Sequence, residues 1–113
     1  MKYVDPKIKY DYVYIISDGT GYIKVGISAN PENRKKQLQT SNPNKLEILF
    51  TEEFECNRNH LLKIERNIHR ELKQIAKHMK GEWFYIEESQ LREIKNIITW
   101  NRIRYDLDTL AFR

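Results

Sequence analysis

The sequence is poor in the residues that would place it in several protein classes. Its 113 residues include one cysteine, Cys56, so an internal disulfide is excluded and a reducing compartment is favoured. No apolar run approaches the roughly 20 residues of a membrane-spanning helix, and no apolar run follows the charges of residues 1–7 as it would in a signal peptide. We therefore expect a cytoplasmic protein of one domain.

Motifs for zinc binding, cysteine catalysis or nucleotide binding are also missing. The three histidines, His60, His69 and His78, are nine residues apart, so neighbours in the series point to opposite faces of a helix. His60 and His78 share a face but would lie about 27 Å apart at 1.5 Å per residue. This spacing disfavours a structural zinc site. No histidine stands at an obvious distance from Cys56 to activate it, and the glycines at 19–26 belong to a hairpin rather than a phosphate-binding turn.

Charge is abundant and unevenly distributed. The net charge is +4 and the pI about 9.2, which is a mild preference for polyanions. Between residues 58 and 80 seven side chains are basic and two acidic, whereas residues 45–55 contain four glutamates. A basic side of this kind is typical of nucleic-acid binding. An ordinary solvated helix face gives the same pattern, so charge alone leaves both interpretations open.

Two alternating apolar runs, at residues 12–17 and 22–28, flank the turn-forming residues 18–21 and predict a β-hairpin. In the expected register Ile15 faces Ile23, Val13 faces Val25, and residues 17–21 form a five-residue loop. On the opposite face this register places Tyr14 directly across from Lys24, with the two Cβ atoms about 5 Å apart.

Downstream of the hairpin, helix and strand signals alternate. An Asn30-Pro31 pair begins a short helix, on which Leu38 marks the buried side and Arg34 shares it. Apolar residues at three- and four-residue steps form one stripe along a longer helix. The predicted elements, in order, are an arm at 1–11, the hairpin, a helix from Pro31 to about Gln39, a strand at Leu46–Phe54, a helix from Asn57 or Asn59 to about Met79 ended by Lys80-Gly81, a plug or small strand at Glu82–Ile86, a helix from Ser89 to about Arg104, and a tail at Tyr105–Arg113.

We expect residues 12–87 to form the main domain and residues 88–113 to pack on it as a C-terminal helix and tail. The apolar residues of that tail would dock within the chain or on a second subunit, and a homodimer is therefore one open possibility. These tail residues are Leu107, Leu110 and Phe112.

Five polar residues stand out as a candidate site: Tyr14, Lys24, Arg34, Glu65 and His69. Each has an ordinary structural interpretation when taken singly, as a strand aromatic, a surface lysine, an ion-pair partner or a helix-surface residue. Glu65 projects about 40° from the centre of the apolar stripe, so its carboxylate lies at the boundary between core and solvent and needs a partner.

In combination these residues match a known pattern. The motifs, in order, are Tyr12-Val13-Tyr14, Lys24-Val25-Gly26, Asn33-Arg34, Glu65-Arg66-Asn67-Ile68-His69 and Gly81-Glu82-Trp83-Phe84. Over about residues 11–87 the chain resembles the GIY-YIG nuclease superfamily, and most closely its small "DNA-binding" branch. The resemblance implies an α+β fold with a three-stranded antiparallel sheet flanked by helices, and metal-dependent cleavage of DNA. It also implies that Tyr14 is the motif tyrosine, Arg34 the helix arginine and Glu65 the metal ligand, while Lys24 replaces the second tyrosine of many members.

The chemistry of the residues is consistent with that function. Lys24 opposite Tyr14 would lower the pKa of the phenol and make Tyr14 a general base. Arg34 would donate paired hydrogen bonds to a phosphate, and Glu65 alone would suffice for Mg²⁺ (or Mn²⁺), which needs few protein ligands when a phosphate supplies another. His69 would assist proton transfer or contact phosphate.

We therefore predict a Mg²⁺-dependent DNA endonuclease. The alternative is a DNA-binding module of the same fold that does not cleave, and a third interpretation is an interaction adaptor that uses Trp83-Phe84-Tyr85 and the C-terminal helix. The residues expected on the DNA backbone are Lys35, Lys36, Arg66, Arg70 and Lys73.

Overall fold

The computed structural model describes residues 9–111, which form an α+β domain with one antiparallel sheet. The coarse class agrees with the sequence prediction, but the sheet has five strands rather than three, in the order β3-β1-β2-β5-β4. The elements are β1 (Lys9–Ser17), β2 (Tyr22–Ser28), α1 (Pro31–Gln39), β3 (Glu47–Cys56), α2 (Arg58–Ile75), β4 (Lys77–Lys80), β5 (Trp83–Tyr85), a 3₁₀ turn (Glu88–Gln90) and α3 (Leu91–Ala111). None of the described helices is long and apolar enough to cross a membrane.

The β1–β2 hairpin has the predicted faces but a different register. Ile15 pairs with Val25, and Tyr14 pairs with Gly26 rather than Lys24. A shift of two residues keeps every side chain on its face, so alternation could not distinguish the two registers. The turn decides between them: Asp18 N–H donates to the Tyr22 carbonyl at 3.1 Å, and Gly19 and Gly21 have φ angles of 82° and 100°. Glycine tolerates those angles, and the five-residue loop lies at residues 18–22, one residue later than predicted.

The sheet separates two apolar layers. On one face the hairpin residues pack against the apolar stripes of α2 and α3, and on the other Tyr14, Ile16 and Leu46 form a smaller cluster that Leu38 of α1 covers. Burial of each large aliphatic side chain stabilises the fold by about 1.5–3 kcal/mol. The fully buried residues of the larger layer include Val13, Ile15, Val25, Leu61, Ile68, Leu72, Ile94 and Ile98.

α1 has the predicted bounds, and its start follows from local chemistry. The Asn30 side chain accepts a hydrogen bond from Asn33 N–H at 3.1 Å, and Pro31 occupies the first helical position. Of the predicted N-terminal arm, residues 1–8 lie outside the described residues, and Lys9–Asp11 begin β1. β3 runs one residue later at its start and two at its end than predicted.

The long helix ends earlier than predicted. α2 begins after the N-cap Asn57 and stops at Ile75, and the residues expected to complete it form β4 instead. Gly81 therefore does not end a helix; with a φ of 58° it forms the turn that pairs β4 with β5. The register of this pair shifts between His78 and Lys80, and all four side chains of β4 are exposed.

The C-terminal helix is longer than predicted. Ser89 lies in the 3₁₀ turn, which Glu87 caps, and α3 continues past Arg104 to Ala111. Much of the expected tail is thus helical. Leu107 is exposed, the side chain of Leu110 lies outside the described set, and Phe112 lies outside the described residues.

Candidate active site

A polar cleft of about 530 Å³ opens beside the end of β2. It gathers side chains from α1, from the first turns of α2 and from the β4–β5 turn, because these segments all meet the sheet at the same place. The residues that line it are Ile27, Ser28, Ala29, Arg34, Arg58, Leu62, Glu65 and Glu82.

The Tyr14 phenol reaches this region across Gly26, its partner in the β1–β2 ladder. A methyl group on Gly26 would lie 2.6 Å from the Tyr14 hydroxyl oxygen and 2.7 Å from Oε2 of Glu82. Both distances are far below van der Waals contact. Gly26 is therefore required so that the phenol and the Glu82 carboxylate can converge over one backbone position.

Glu65 is half-buried on α2 and faces the Glu82 carboxylate. Burial and then the neighbouring charge of Glu82 raise the pKa of Glu65 to about 7, while the cations Arg58 and Lys24 act in the opposite direction. Oε2 of Glu65 is buried and accepts no hydrogen bond from the described residues. When both groups are ionised, two carboxylates thus lie together with too few donors.

Lys24 does not serve the Tyr14 phenol as predicted. It pairs across the ladder with Ile16, and its ammonium lies 3.3 Å from Oε2 of Glu82, largely buried, and 5.6 Å from the centre of the Trp83 ring. The expectation that Lys24 lowers the pKa of Tyr14 is therefore wrong: burial raises that pKa, and the cation that opposes the rise is Arg34. At neutral pH the phenol keeps its proton.

Arg34 lies on the side of α1 that faces the sheet, as predicted, and borders both the cleft and the phenol. Its Nη1 donates a weak hydrogen bond of 3.4 Å to Gln37. The guanidinium also acts on the Tyr14 phenol through a side-chain hydrogen bond, and since it carries five N–H donors, others are free to bind a ligand.

His69 is not among the residues that line the cleft. Its Nε2 lies 2.7 Å from the Val25 carbonyl, so this nitrogen carries the proton and donates it, and the ring packs edge-on against Phe84. These contacts connect α2 to β2, so His69 has a structural role outside the cleft.

The residues predicted to contact the DNA backbone lie on two exposed surfaces. Arg66, Arg70 and Lys73 are exposed along one stripe of α2, and Lys36 is exposed on α1. Lys35 is half-buried and pairs with Glu32 at 3.3 Å.

The sequence prediction missed three residues of the site: Gly26, Arg58 and Glu82. The sequence analysis named Glu82 only as part of a motif, because the predicted elements on either side of it did not indicate that it lies near Glu65. Arg58 was counted among the basic residues, and only its place at the start of α2 brings it to the cleft. Gly26 also stood in a quoted motif, but its role depends on the register that pairs it with Tyr14.

The donor set of the cleft is compatible with one hard divalent cation. The cleft contains two carboxylates, and one oxygen of Glu65 has no hydrogen-bond donor among the described residues. This set matches Mg²⁺, which binds one or two carboxylates and takes its other ligands from water and phosphate. Among the described residues no three or more histidine, cysteine, aspartate or glutamate side chains are placed so that together they could hold a metal ion, so a metal at this cleft would take further ligands from the substrate and solvent.

The comparison with protein families identifies this domain. A model of the T5orf172 domain matches residues 11–100, which include every element from β1 to the first half of α3. The chain belongs to the T5orf172 domain family. The resemblance to the GIY-YIG nuclease superfamily was therefore wrong as an assignment, because the matching model is that of another family. No curated protein and no solved structure matches this T5orf172 domain.

Proposed function

We propose that this T5orf172 domain is a Mg²⁺-dependent DNA endonuclease. The observation that carries the proposal is the buried Oε2 of Glu65, which lacks a hydrogen-bond donor among the described residues and lies beside Glu82 in a cleft bordered by two arginines. Buried polar atoms in this state are uncommon. Among the described residues Oδ1 of Asp11 is in the same state but has the Arg58 guanidinium 3.1 Å away, whereas Glu65 has a second carboxylate beside it.

Glu65 would hold the metal ion, with Mn²⁺ as a substitute, and Glu82 beside it would receive the proton of the reaction. When bound, the ion would neutralise charge on the phosphate and supply an acidic water. Arg34 binds the scissile phosphate and stabilises the charge that develops on its oxygens.

The proton path uses groups that face one another over Gly26. As water attacks phosphorus, Tyr14 accepts the water proton and passes its own to Glu82, and the leaving oxygen, whose bond to phosphorus breaks, takes up a proton from solvent. This relay avoids a free phenolate, which agrees with the raised pKa of Tyr14. Lys24 holds Glu82 in place through their ion pair, so its contribution differs from the general-base pair with Tyr14 that the sequence suggested.

The exposed cations would bind the sugar-phosphate backbone. Arg66, Arg70 and Lys73 form a stripe on α2, and contacts of this kind add affinity without base specificity. We also propose a cytoplasmic location, because the lone Cys56 is buried and reduced and suits that compartment.

One observation favours the second candidate, a DNA-binding domain that does not cleave. The Lys24 ammonium already neutralises one carboxylate of the site from 3.3 Å, and an internal cation weakens the attraction for a divalent ion.

A plasmid-nicking assay separates the two functions. With Mg²⁺ the wild-type chain should nick DNA, and Glu65→Gln should reduce nicking about 10³-fold or more while binding is retained, because a neutral amide is a poor ligand for a hard cation. Glu71→Gln, a change of the same kind on α2 whose side chain accepts from Asn101, is the control and should nick normally. Wild-type binding without nicking supports the second function, and full activity of Glu65→Gln removes Glu65 from the mechanism.

A further inference from the structure

Arg58 occupies a position where local helix chemistry disfavours a cation. It is the first residue of α2, and the first turn of that helix contains no acidic residue. Unpaired amide groups at a helix N-terminus favour anions and repel positive charge. The arginine therefore gains nothing from the helix dipole, and its favourable contacts come from elsewhere in the fold.

Asp11 of β1 supplies that interaction. Its side chain is 2% exposed, and Oδ1 lies 3.1 Å from Nη1 of Arg58, whose own side chain is 50% exposed. A buried carboxylate is costly unless it is paired. Asp11 and Arg58 form an ion pair without hydrogen-bond geometry, so charge attraction from Asp11 holds one side of an arginine whose side chain is half accessible to solvent. The exposed part belongs to the lining of the cleft.

The cleft thus has two arginines from two different helices. Arg34 borders the Tyr14 phenol, whereas Arg58 is held by Asp11 at the start of α2. A single scissile phosphate is already bound by Arg34 and the metal in the proposed mechanism. A neighbouring phosphate of the same strand would find both a guanidinium and the amides of a helix N-terminus beside Arg58.

We propose that Arg58 binds the phosphate next to the scissile one, and that Asp11 is the residue that positions it. This inference rests on the proposed function, since it assigns the substrate contact of the same site. It makes Arg58 a binding residue and Asp11 a positioning residue, and neither takes part in bond breaking.

The test measures substrate binding apart from chemistry. Arg58→Ala should raise KM for nicking, and Kd for a short DNA duplex without metal, about tenfold, with kcat changed less than about twofold. The dependence of log Kd on log salt should fall by about one unit of slope. Lys63→Ala, a change of an exposed cation on α2 outside the cleft lining, is the control and should alter KM less than about twofold.

Asp11 is tested through its dependence on Arg58. Asp11→Asn should weaken binding in the wild-type background and have no further effect in Arg58→Ala, as expected for residues that act as a unit. If Asp11→Asn no longer unfolds cooperatively on heating, Arg58→Lys tests the positioning instead. A lysine lacks the planar guanidinium with which arginine can contact Asp11 on one side and a phosphate on the other. It should raise KM about threefold or more, and a wild-type KM would contradict positioning by Asp11.

Other outcomes overturn the assignment directly. Equal KM and salt slope for Arg58→Ala and Lys63→Ala would show that Arg58 touches no phosphate, and a loss confined to kcat would place it on the reacting group instead. If the wild-type chain binds DNA without nicking it, the nuclease proposal is wrong, and the metal-free Kd and its salt dependence alone decide whether Arg58 binds a phosphate. A wild-type chain that does not bind DNA removes both.

Discussion

Two clusters of charged side chains connect the sheet to its helices, and they differ in how completely they are satisfied. In one, Arg102 of α3 donates through Nε to Glu52 of β3 and through Nη1 to Asp106 at 2.6 Å. In the other, Lys24 pairs with Glu82 while Oε2 of Glu65 has no donor among the described residues. A fold keeps an unsatisfied buried charge where a function compensates for it. The first cluster is therefore structural, and the second is a candidate ligand site.

Gly26→Ala, beside the Glu65–Glu82 cluster, should cause the largest loss of nicking activity among the variants that compare the two clusters. The added methyl group would displace the Tyr14 hydroxyl and Glu82, and a misplacement of this size should reduce nicking about 100-fold. Gly19→Ala is the control: nothing lies within 4 Å of its added group, so it should cost about 1 kcal/mol of backbone strain and leave the nicking rate of folded protein unchanged. Normal nicking by Gly26→Ala would show that the phenol and carboxylate need not converge.

Arg102→Met should lower stability and leave nicking unchanged, the opposite of the effect expected at Gly26. It leaves Glu52 and Asp106 without their donor, so the free energy of unfolding should fall by about 1 to 2 kcal/mol, while nicking by the folded protein stays normal. Urea denaturation measures the loss. Arg104→Met, at an exposed position two residues later on α3, should change stability by less than about 0.5 kcal/mol. Equal stability of the two variants would mean that the Arg102 cluster contributes nothing.

The smallest effect concerns pH. The pKa of Glu65 is raised from 4.5 to about 7, so between these values the folded state binds more protons than the unfolded state, and the free energy of unfolding falls as pH rises. After allowance for the solvent exposure of Glu65, we expect a loss of about 1 kcal/mol in this window. Urea denaturation below and above the window measures it.

Glu65→Gln should remove that pH dependence, because the amide does not titrate. Mg²⁺ should reduce the loss above pH 7 by binding the folded state. Glu71→Gln should keep the wild-type profile. A wild-type stability that rises with pH across the window would contradict the raised pKa and, with it, the contrast between the two clusters.

The sequence predicted the local elements with strong signals. The Asn30-Pro31 start and the end at Gln39 gave α1 its correct bounds, and the apolar steps from Leu61 to Leu72 gave the buried face of α2. The hairpin faces were also correct, because a period of two fixes which side each residue takes. Arg34 and Glu65, both predicted from the sequence, do meet at the cleft.

The errors came where distant pairing outweighs local pattern. Lys77–Lys80 has four polar or flexible side chains and no alternation, and it is a strand only because β5 pairs with it. The hairpin register depends on the φ angles of two glycines, and the partner of Lys24 depends on that register. Glu82 enters the site through the β4–β5 turn, whereas the sequence pattern predicted that Lys80-Gly81 ends a helix.

The two outer strands of the sheet bear opposite charges. β3 exposes Glu47, Glu53 and Glu55 at one edge, and β4 exposes Lys77 and Lys80 at the other. Opposite charges at the two edges favour head-to-tail contact between copies of this domain, and such contacts form a ring where the rotation closes and a filament where it does not. The brevity of β4 and its irregular register make that edge a poor template for another strand, so the same hairpin that delivers Glu82 also opposes lateral polymerisation.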